Sequence, residues 1–558
     1  MLLPLGEHGT RPGSPERVTD LAAAVRTRER QCAPRWVWAD TATVYPRLLR
    51  AGVRVGRCHD LALTEALLLG HEGRWGEPRS LAAAWARLRR LSVPADPPPR
   101  SRDLQPALFE PDLTGLPEGV DPLDAVAAVH AEQVRRIAAT EHPERMRLLV
   151  AAESAGALVA AEMTHDGMPW RADRHDAILT GLLGPRPRAG AQPARLRDLS
   201  DRIIAAFGGR RVNPDSPAEL VRAFGREGVD IGSTRSPVLR GINHPAAPLI
   251  LEYKELSRLF AAHGWAWLDS WVHAGRFRPE WVAGGVVSGR WASRGGGALQ
   301  IPHAVRAAVV ADPGWTLVVA DAAQLEPRVL AALSGDRGLA EAAGTGDLYA
   351  ALAAEAFDGD RARAKIALLA AMYGQTGGEA GQLLGSLRRR FPAAVGYVEA
   401  AARDGEAGRL VRSRLGRTCP PPSRRWREIV TGAADAAGPG DEDETGRRAG
   451  QAARNRGRFT RNFVVQASAA DWALTLLALL RGRLAELAGP GADEDDPVAR
   501  LVFFQHDEVV VHTPVRAADA VVAAVVDSAA QASRLVFGDT PVLFPVRPVV
   551  AECYADAK

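Results

Sequence analysis

Three stretches of this sequence carry side chains whose type and spacing fit them for chemistry. In "VVADAAQLEPRVLAALSGD" (residues 318–336) an apolar, strand-like run ends on Asp321, and Glu326 follows before helical spacing sets in at Val329, Leu330 and Leu333. In "LVFFQHDEVVVHTP" (501–514) two apolar runs flank His506, Asp507 and Glu508, which reads as a β-hairpin with two acids at its tip. Hairpin tips favour Asn-Gly or Asp-Gly, and neither is present. Read alone, each acid is most simply a turn or capping residue. Together, two carboxylates at strand ends, 186 positions apart (321 and 507), can converge to hold a pair of divalent ions. Such ions, about 3.5–4 Å apart, stabilise the attacking and leaving oxygens of a phosphoryl displacement. Magnesium suits the donor set because it takes few carboxylates and completes its shell with phosphate and water. The third stretch, "RARAKIALLAAMYGQ" (361–375), places Arg361 and Lys365 one helical turn apart, with Tyr373 two turns further on. A cationic face with an aromatic at its end suits a triphosphate and a base. A solvated Arg/Lys face is the plainer alternative.

The chain that must position these residues is 558 long, more than one core usually supports, so several subdomains are expected. Its 46% hydrophobic and 24% charged content is that of a globular protein. The sequence suggests no apolar run of membrane-spanning length and no signal peptide in "MLLPLGEHGTRPG". Cys32, Cys58, Cys419 and Cys553 form no CxxC pair, which argues against zinc or a disulfide framework and for a reducing cytoplasm. A net charge of +4 says little about partners. Of 70 basic residues only Lys254, Lys365 and Lys558 are lysines, so an internal lysine stands out against an arginine-rich background. Strand-like pieces "RWVWAD" and "GVRVG" open the chain, and the prolines of 91–106 mark a loop. A long helix is expected from about 145, another over "PLILEYKELSRLF", and one after Ser216-Pro217 that stops at Gly228. The Gly-rich acidic segment 431–447 reads as a disordered insertion, and 487–499 as a second loop.

Taken together the motifs resemble the family A DNA polymerases of the bacterial DNA polymerase I type. "DAAQLEPRVLAALSGD" is similar to the family's motif A, "RARAKIALLAAMYG" to motif B and "QHDE" to motif C. The likeness continues through "EMTHDGMPW", "NPDSPAEL", "SGRWASRGGGALQIP", "RNFVVQASAAD" and "VVAECYADAK", in the family's order, over about residues 145–558. It implies a multidomain α+β right-hand fold: thumb about 185–280, palm about 281–340 and 460–558, fingers about 341–459. It also implies a monomer that extends primer–template DNA with dNTPs, using two Mg2+ ions for which Mn2+ can substitute. By similarity Asp321 and Asp507 bind the ions with Glu508 beside them. Arg361 and Lys365 meet the triphosphate, Leu369 and Tyr373 lie near the nascent pair, and Glu326 with Gln324 forms the sugar gate. Arg290, Gln300, Arg458, Asn462, Gln466 and His506 match positions that contact DNA.

The sequence departs from the family at Leu369, where Phe or Tyr is usual, at Ala322-Ala323 in place of Tyr-Ser, and at Tyr349 in place of a histidine. Altered sugar selectivity is expected. Residues 1–145 occupy the place of the 3′–5′ exonuclease, an RNase H-like α/β domain, but Ala42 stands at the glutamate of its DxE motif after Asp40, and Thr64 where another metal-binding acid belongs. A reduced domain without proofreading is expected, in a bacterial, cytoplasmic and nucleoid-associated enzyme of repair or gap filling. The rivals are a single-subunit RNA polymerase relative, which Glu326 argues against, and a catalytically impaired DNA-binding relic, which the full set of acids argues against.

Overall fold

The computed structural model describes residues 1–6, 13–98, 115–374, 379–435, 442–489 and 498–557. They form two compact units. The first comprises Met1–His165, Trp281–Ala292 and Val318–Val549, and the second Asp166–Glu280, Ser293–Leu317 and Val550–Lys558.

The first unit is built on a hairpin and a long helix. Strands Arg500–Gln505 and Glu508–Pro514 pair antiparallel, with Glu508 opposite Gln505 and a register shift between Val510 and Val511. Nearly every residue of both strands is buried, which explains their continuous apolar pattern. The strand Trp315–Asp321, of which Val318 onward belongs to this unit, lies beside Glu508–Pro514. Helix Glu442–Ala488, 47 residues long, packs on Pro392–Glu406 and Ala518–Phe537.

The segment 431–447, expected to be disordered, is helical at both ends, in Arg424–Asp435 and from Glu442 onward; 436–441 lies outside the described residues. Alanine, glutamate and arginine are strong helix formers, and their propensity outweighs the glycines flanking them. The loop expected over 487–499 has its stretch 490–497 outside the described residues, and so do 99–106 of the loop 91–106. The expectation of no membrane-length apolar run also needs correction, because Gly446–Ala488 and Val515–Phe537 are long and apolar enough to cross a bilayer. The first is a core helix: Asp471 in its apolar stretch is fully buried and bonded by Ser413 Oγ (2.6 Å) and Arg417 Nε (2.8 Å).

At the N-terminus Arg35–Trp38 pairs in parallel with Arg57–Asp60. The second strand thus begins just after "GVRVG" rather than within it. Asp40 and Asp60 cap the helices that follow, accepting from Ala42 N (3.0 Å) and Leu63 N (2.8 Å) respectively. Glu162, on helix Pro143–Asp166, joins this region to the long helix: it accepts from Arg481 Nε (2.9 Å) and from the Tyr45 hydroxyl.

The second unit is mainly helical, with Ala172–Leu183, Ala194–Ala206, Pro217–Arg226 and Ala246–His263 around a small sheet of Met168–Pro169, Arg276–Phe277 and Val272–His273. Ser216 caps its helix as the sequence predicts. Gly295 sits at φ +71° against Trp271, whose ring lies 2.1 Å from where a Cβ would stand, so no side chain is tolerated there.

Candidate active site

The hairpin tip and the end of the strand Trp315–Asp321 bring the first two sequence-predicted acids together. The loop is two residues, His506 and Asp507. Asp507 N donates to Gln505 O (2.7 Å) across His506, which holds φ +58°. This is a γ-turn of the strained, rare hand, and it aims Asp507 back over the sheet. Ala322 N then donates to Asp507 O (3.0 Å) and Arg547 N to Asp321 O (3.4 Å), which fixes the two acids beside each other. Burial, and after it the neighbouring Asp321 carboxylate, pushes the Asp507 carboxyl up to about 7, with Glu508 and Glu326 adding to the repulsion. Glu508 itself is buried.

Glu326, in the first turn of helix Leu325–Ser334, is the hub of a second cluster. One of its oxygens is paired with Arg290 and the other accepts the Tyr373 hydroxyl at 2.6 Å. Gln466 bonds Tyr373 in turn; burial and Glu326 together push the phenol up. Burial, then Arg290, lowers His506, against the opposing pull of Glu326. Arg290 is placed by its neighbours. Gly289 at φ +84° leaves room for Arg417, whose Nε would lie 2.4 Å from a Cβ there, and Trp291 packs edge-on against Phe504 at 5.1 Å.

Along helix Arg361–Tyr373, capped by Asp360 and ended by Gly374 at φ +67°, the residues Arg361, Lys365, Leu369 and Tyr373 recur every fourth position. Ala364, Ala367, Leu368, Ala371 and Met372 form the buried side. Arg361 pairs with Asp347 (2.9 Å) and lies over the Tyr349 ring, 5.5 Å from its centroid. Lys365 is exposed and makes no ion pair with any described residue. Gln324 occupies the left-handed region (φ +58°) and is fully engaged: its amide donates to Asp347 (2.8 Å), while its oxygen accepts from Leu348 N and Arg328. Although burial opposes it, bonds from Gln324 and Arg361 hold Asp347 down to about 2.

Of the remaining sequence-predicted residues, Arg458 and Asn462 lie on the long helix. Arg458 packs where Gly374 leaves space, and the Asn462 Oδ1 is buried with no hydrogen-bond partner among the described residues. Gln300 belongs to the second unit and is exposed. The structure thus gathers Arg290, Asp321, Glu326, Tyr373, Gln466, His506, Asp507 and Glu508.

Sequence reasoning missed two residues that hold this site. Asp347 ties Gln324 to Arg361, and its place before a helix start is a capping signal. Arg328 is fully buried and donates to five backbone carbonyls, among them Ala343 (2.6 Å) and Leu543 (2.9 Å). It thereby pins the start of helix Leu325–Ser334, and nothing in its sequence context signals that.

No three His, Cys, Asp or Glu side chains among the described residues form a ready-made metal site. The donor chemistry nevertheless fits a cation that substrate helps to hold. Asp321 and Asp507 are two mutually repelling carboxylates, and magnesium typically takes one or two carboxylates together with substrate phosphates.

A family model described as DNA polymerase family A matches residues 190–547. DNA polymerase I of Chloroflexus aurantiacus is 30% identical over 266 residues, covering 40% of this chain and 28% of that protein. The thermostable DNA polymerase I of Thermus filiformis is 29% identical over 307 residues, covering 50% of this chain and 32% of its own length. The chain spans about a third of the length of these curated relatives. The polymerase domain of Pol1 from M. smegmatis, solved in complex with DNA primer-template and dNTP, superposes with a TM-score of 0.67 at 19% identity, covering 91% of this chain and 84% of that one. The right-hand polymerase fold is shared.

Proposed function

Because this chain belongs to DNA polymerase family A, we propose that it is a DNA-templated DNA polymerase, adding dNTPs to a primer 3′-hydroxyl. The observation that carries this reading is the convergence of Asp321 and Asp507 at one sheet end, where burial first and the Asp321 carboxylate second raise Asp507 to about 7. Family members use divalent metal ions, and two Mg2+ ions held by Asp321 and Asp507 would lower the pKa of the 3′-hydroxyl and neutralise the leaving pyrophosphate. The protein's own contribution is positioning and charge. Asp321 and Asp507 orient the reacting groups at the sheet end, and Glu508 adds negative charge that keeps cations there. Lys365, unpaired and exposed, binds the triphosphate. Arg361, paired with Asp347, joins it. Glu326, clamped between Arg290 and Tyr373, crowds the sugar 2′ position and disfavours ribonucleotides.

Leu369 offers apolar bulk but no aromatic face to the incoming base, which supports an altered sugar selectivity. The N-terminal region favours an enzyme without proofreading. Asp40 and Asp60 spend their oxygens on helix caps, and the Thr64 hydroxyl is bound to Asp60 O (2.7 Å). Such a monomeric polymerase suits short-patch synthesis on nucleoid DNA, in repair or gap filling.

Primer extension by the purified chain with dNTPs, rNTPs and ddNTPs is the test. Extension that needs Mg2+ and disappears in Asp321→Ala supports the reading; extension that survives this substitution overturns it. In the same preparation, labelled single-stranded DNA remains intact. Degradation lost on Asp40→Ala would contradict the absence of proofreading.

A further inference from the structure

A cavity of about 380 Å³ lies within the first unit, and none of the acids of the sheet end lines it. Its walls come from the turn before helix Pro143–Asp166, from helix Pro392–Glu406 and from the hairpin around Arg412–Gly416. Its size falls in the range of small-ligand pockets, about 300–1,000 Å³.

The charges within it do not balance. Of the acids in the wall, Asp404 is taken up by Arg409 (2.9 and 2.6 Å) and Glu141 is exposed. Of the arginines, Arg412 donates to His71 O (3.2 Å). Arg414 keeps its backbone in place through Ser468 Oγ (2.9 Å), but its guanidinium makes no hydrogen bond or ion pair with any described residue. Arg145 has only a loose 3.8 Å contact to exposed Glu144. Both residues line the same cavity, and burial first, with Arg145 second, lowers Arg414. Beside them stands Tyr397, half-buried, its hydroxyl without a partner among the described residues. An unpaired guanidinium beside one that is only loosely paired is costly to hold unless an anion joins them, and a planar guanidinium fork matches phosphate oxygens. A tyrosine beside the pair supplies an aromatic face and a donor.

We propose that this cavity is a phosphate-binding site for a nucleotide, with the phosphate on Arg145 and Arg414 and the base or sugar against Tyr397. The same chemistry is presented by a free nucleotide and by a phosphate of a single-stranded nucleic acid. The site uses none of the residues assigned to polymerisation, so its failure and the failure of the polymerase reading are separable.

The test is calorimetric titration of the full chain with inorganic phosphate, dAMP and a dT hexamer, for the parent, Arg414→Gln and Arg145→Gln. Either substitution is expected to weaken dAMP or hexamer binding about tenfold or more, the loss expected from one charge-assisted bond. Arg414→Lys should restore part of it, and primer extension should be unchanged. A loss confined to dAMP identifies free nucleotide as the source, and a loss confined to the hexamer identifies a strand. Equal binding by parent and variants overturns the proposal. Should a variant not fold, modification of Arg145 and Arg414 in the parent by phenylglyoxal, read by mass spectrometry, decides instead. Protection by dAMP or the hexamer supports the site, and the absence of protection by both refutes it.

Discussion

Replacing Asp507 by asparagine should stabilise the metal-free protein while abolishing its activity. The Asp507 carboxyl rises from 3.8 to about 7 on folding because burial and Asp321 both disfavour its charge. Between those two values the native state binds more protons than the unfolded chain, so stability falls as pH rises and the full cost is present above pH 7. At about 1.4 kcal/mol per tenfold in proton affinity, this separation is worth at most about 4 kcal/mol. Asparagine still buries a polar group, so a gain of about 1–3 kcal/mol is expected at pH 8, shrinking towards pH 4. The assay is urea unfolding in a chelator at pH 5, 6, 7 and 8, following Trp281 and Trp291, which pack on Phe503 and Phe504 of the hairpin. In the parent, added Mg2+ should recover the stability lost at high pH; in Asp507→Asn it should do so weakly. A variant no more stable than the parent at pH 8 would refute the claim that burial and the Asp321 carboxylate disfavour charge on Asp507.

Two further outcomes follow from the hydrogen bonds. Tyr373→Phe removes the 2.6 Å bond to Glu326 but leaves Arg290 in place, so the preference for dNTPs over rNTPs should fall about tenfold, with primer–template affinity unchanged. An unchanged preference in competing-substrate extension removes Tyr373 from the gate. Arg417→Met leaves Glu153 and Asp471 buried without their cation, and urea unfolding should show a loss of about 3–5 kcal/mol, partly recovered by adding Glu153→Gln and Asp471→Asn.

The two ends of the site differ in how far the sequence foretold them. Asp321 and Asp507 were legible because a strand pattern ending in a carboxylate is a local signal, repeated twice. Arg361, Lys365 and Tyr373 were legible from helical spacing, and Leu369 from the resemblance. The cluster around Glu326 was not legible from local pattern, since Arg290, Glu326, Tyr373 and Gln466 come from four separate segments and meet only through tertiary packing. Arg328 was hidden because it is buried against backbone carbonyls; Gln324 was named by resemblance, but not the left-handed backbone it holds, which a non-glycine residue rarely adopts. Composition misled twice. Glycines and acids suggested disorder where Arg424–Asp435 and the start of Glu442–Ala488 are helical. The apolar stretch around Asp471 is interrupted in the sequence by that charge, which Arg417, 54 positions earlier, pairs with in the folded chain.

In the proposed polymerase, Asp321 and Asp507 act together as a clamp for metal and nucleotide. Dissociation of a labelled primer–template ending in a 3′-dideoxynucleotide tests it without chemistry intervening. Mg2+ with the matched dNTP should slow dissociation at least tenfold relative to Mg2+ with a mismatched dNTP, and both Asp321→Ala and Asp507→Ala should abolish the difference. Dissociation indifferent to the matched nucleotide, or equally slowed in both variants, would contradict the account and leave a DNA-binding relic.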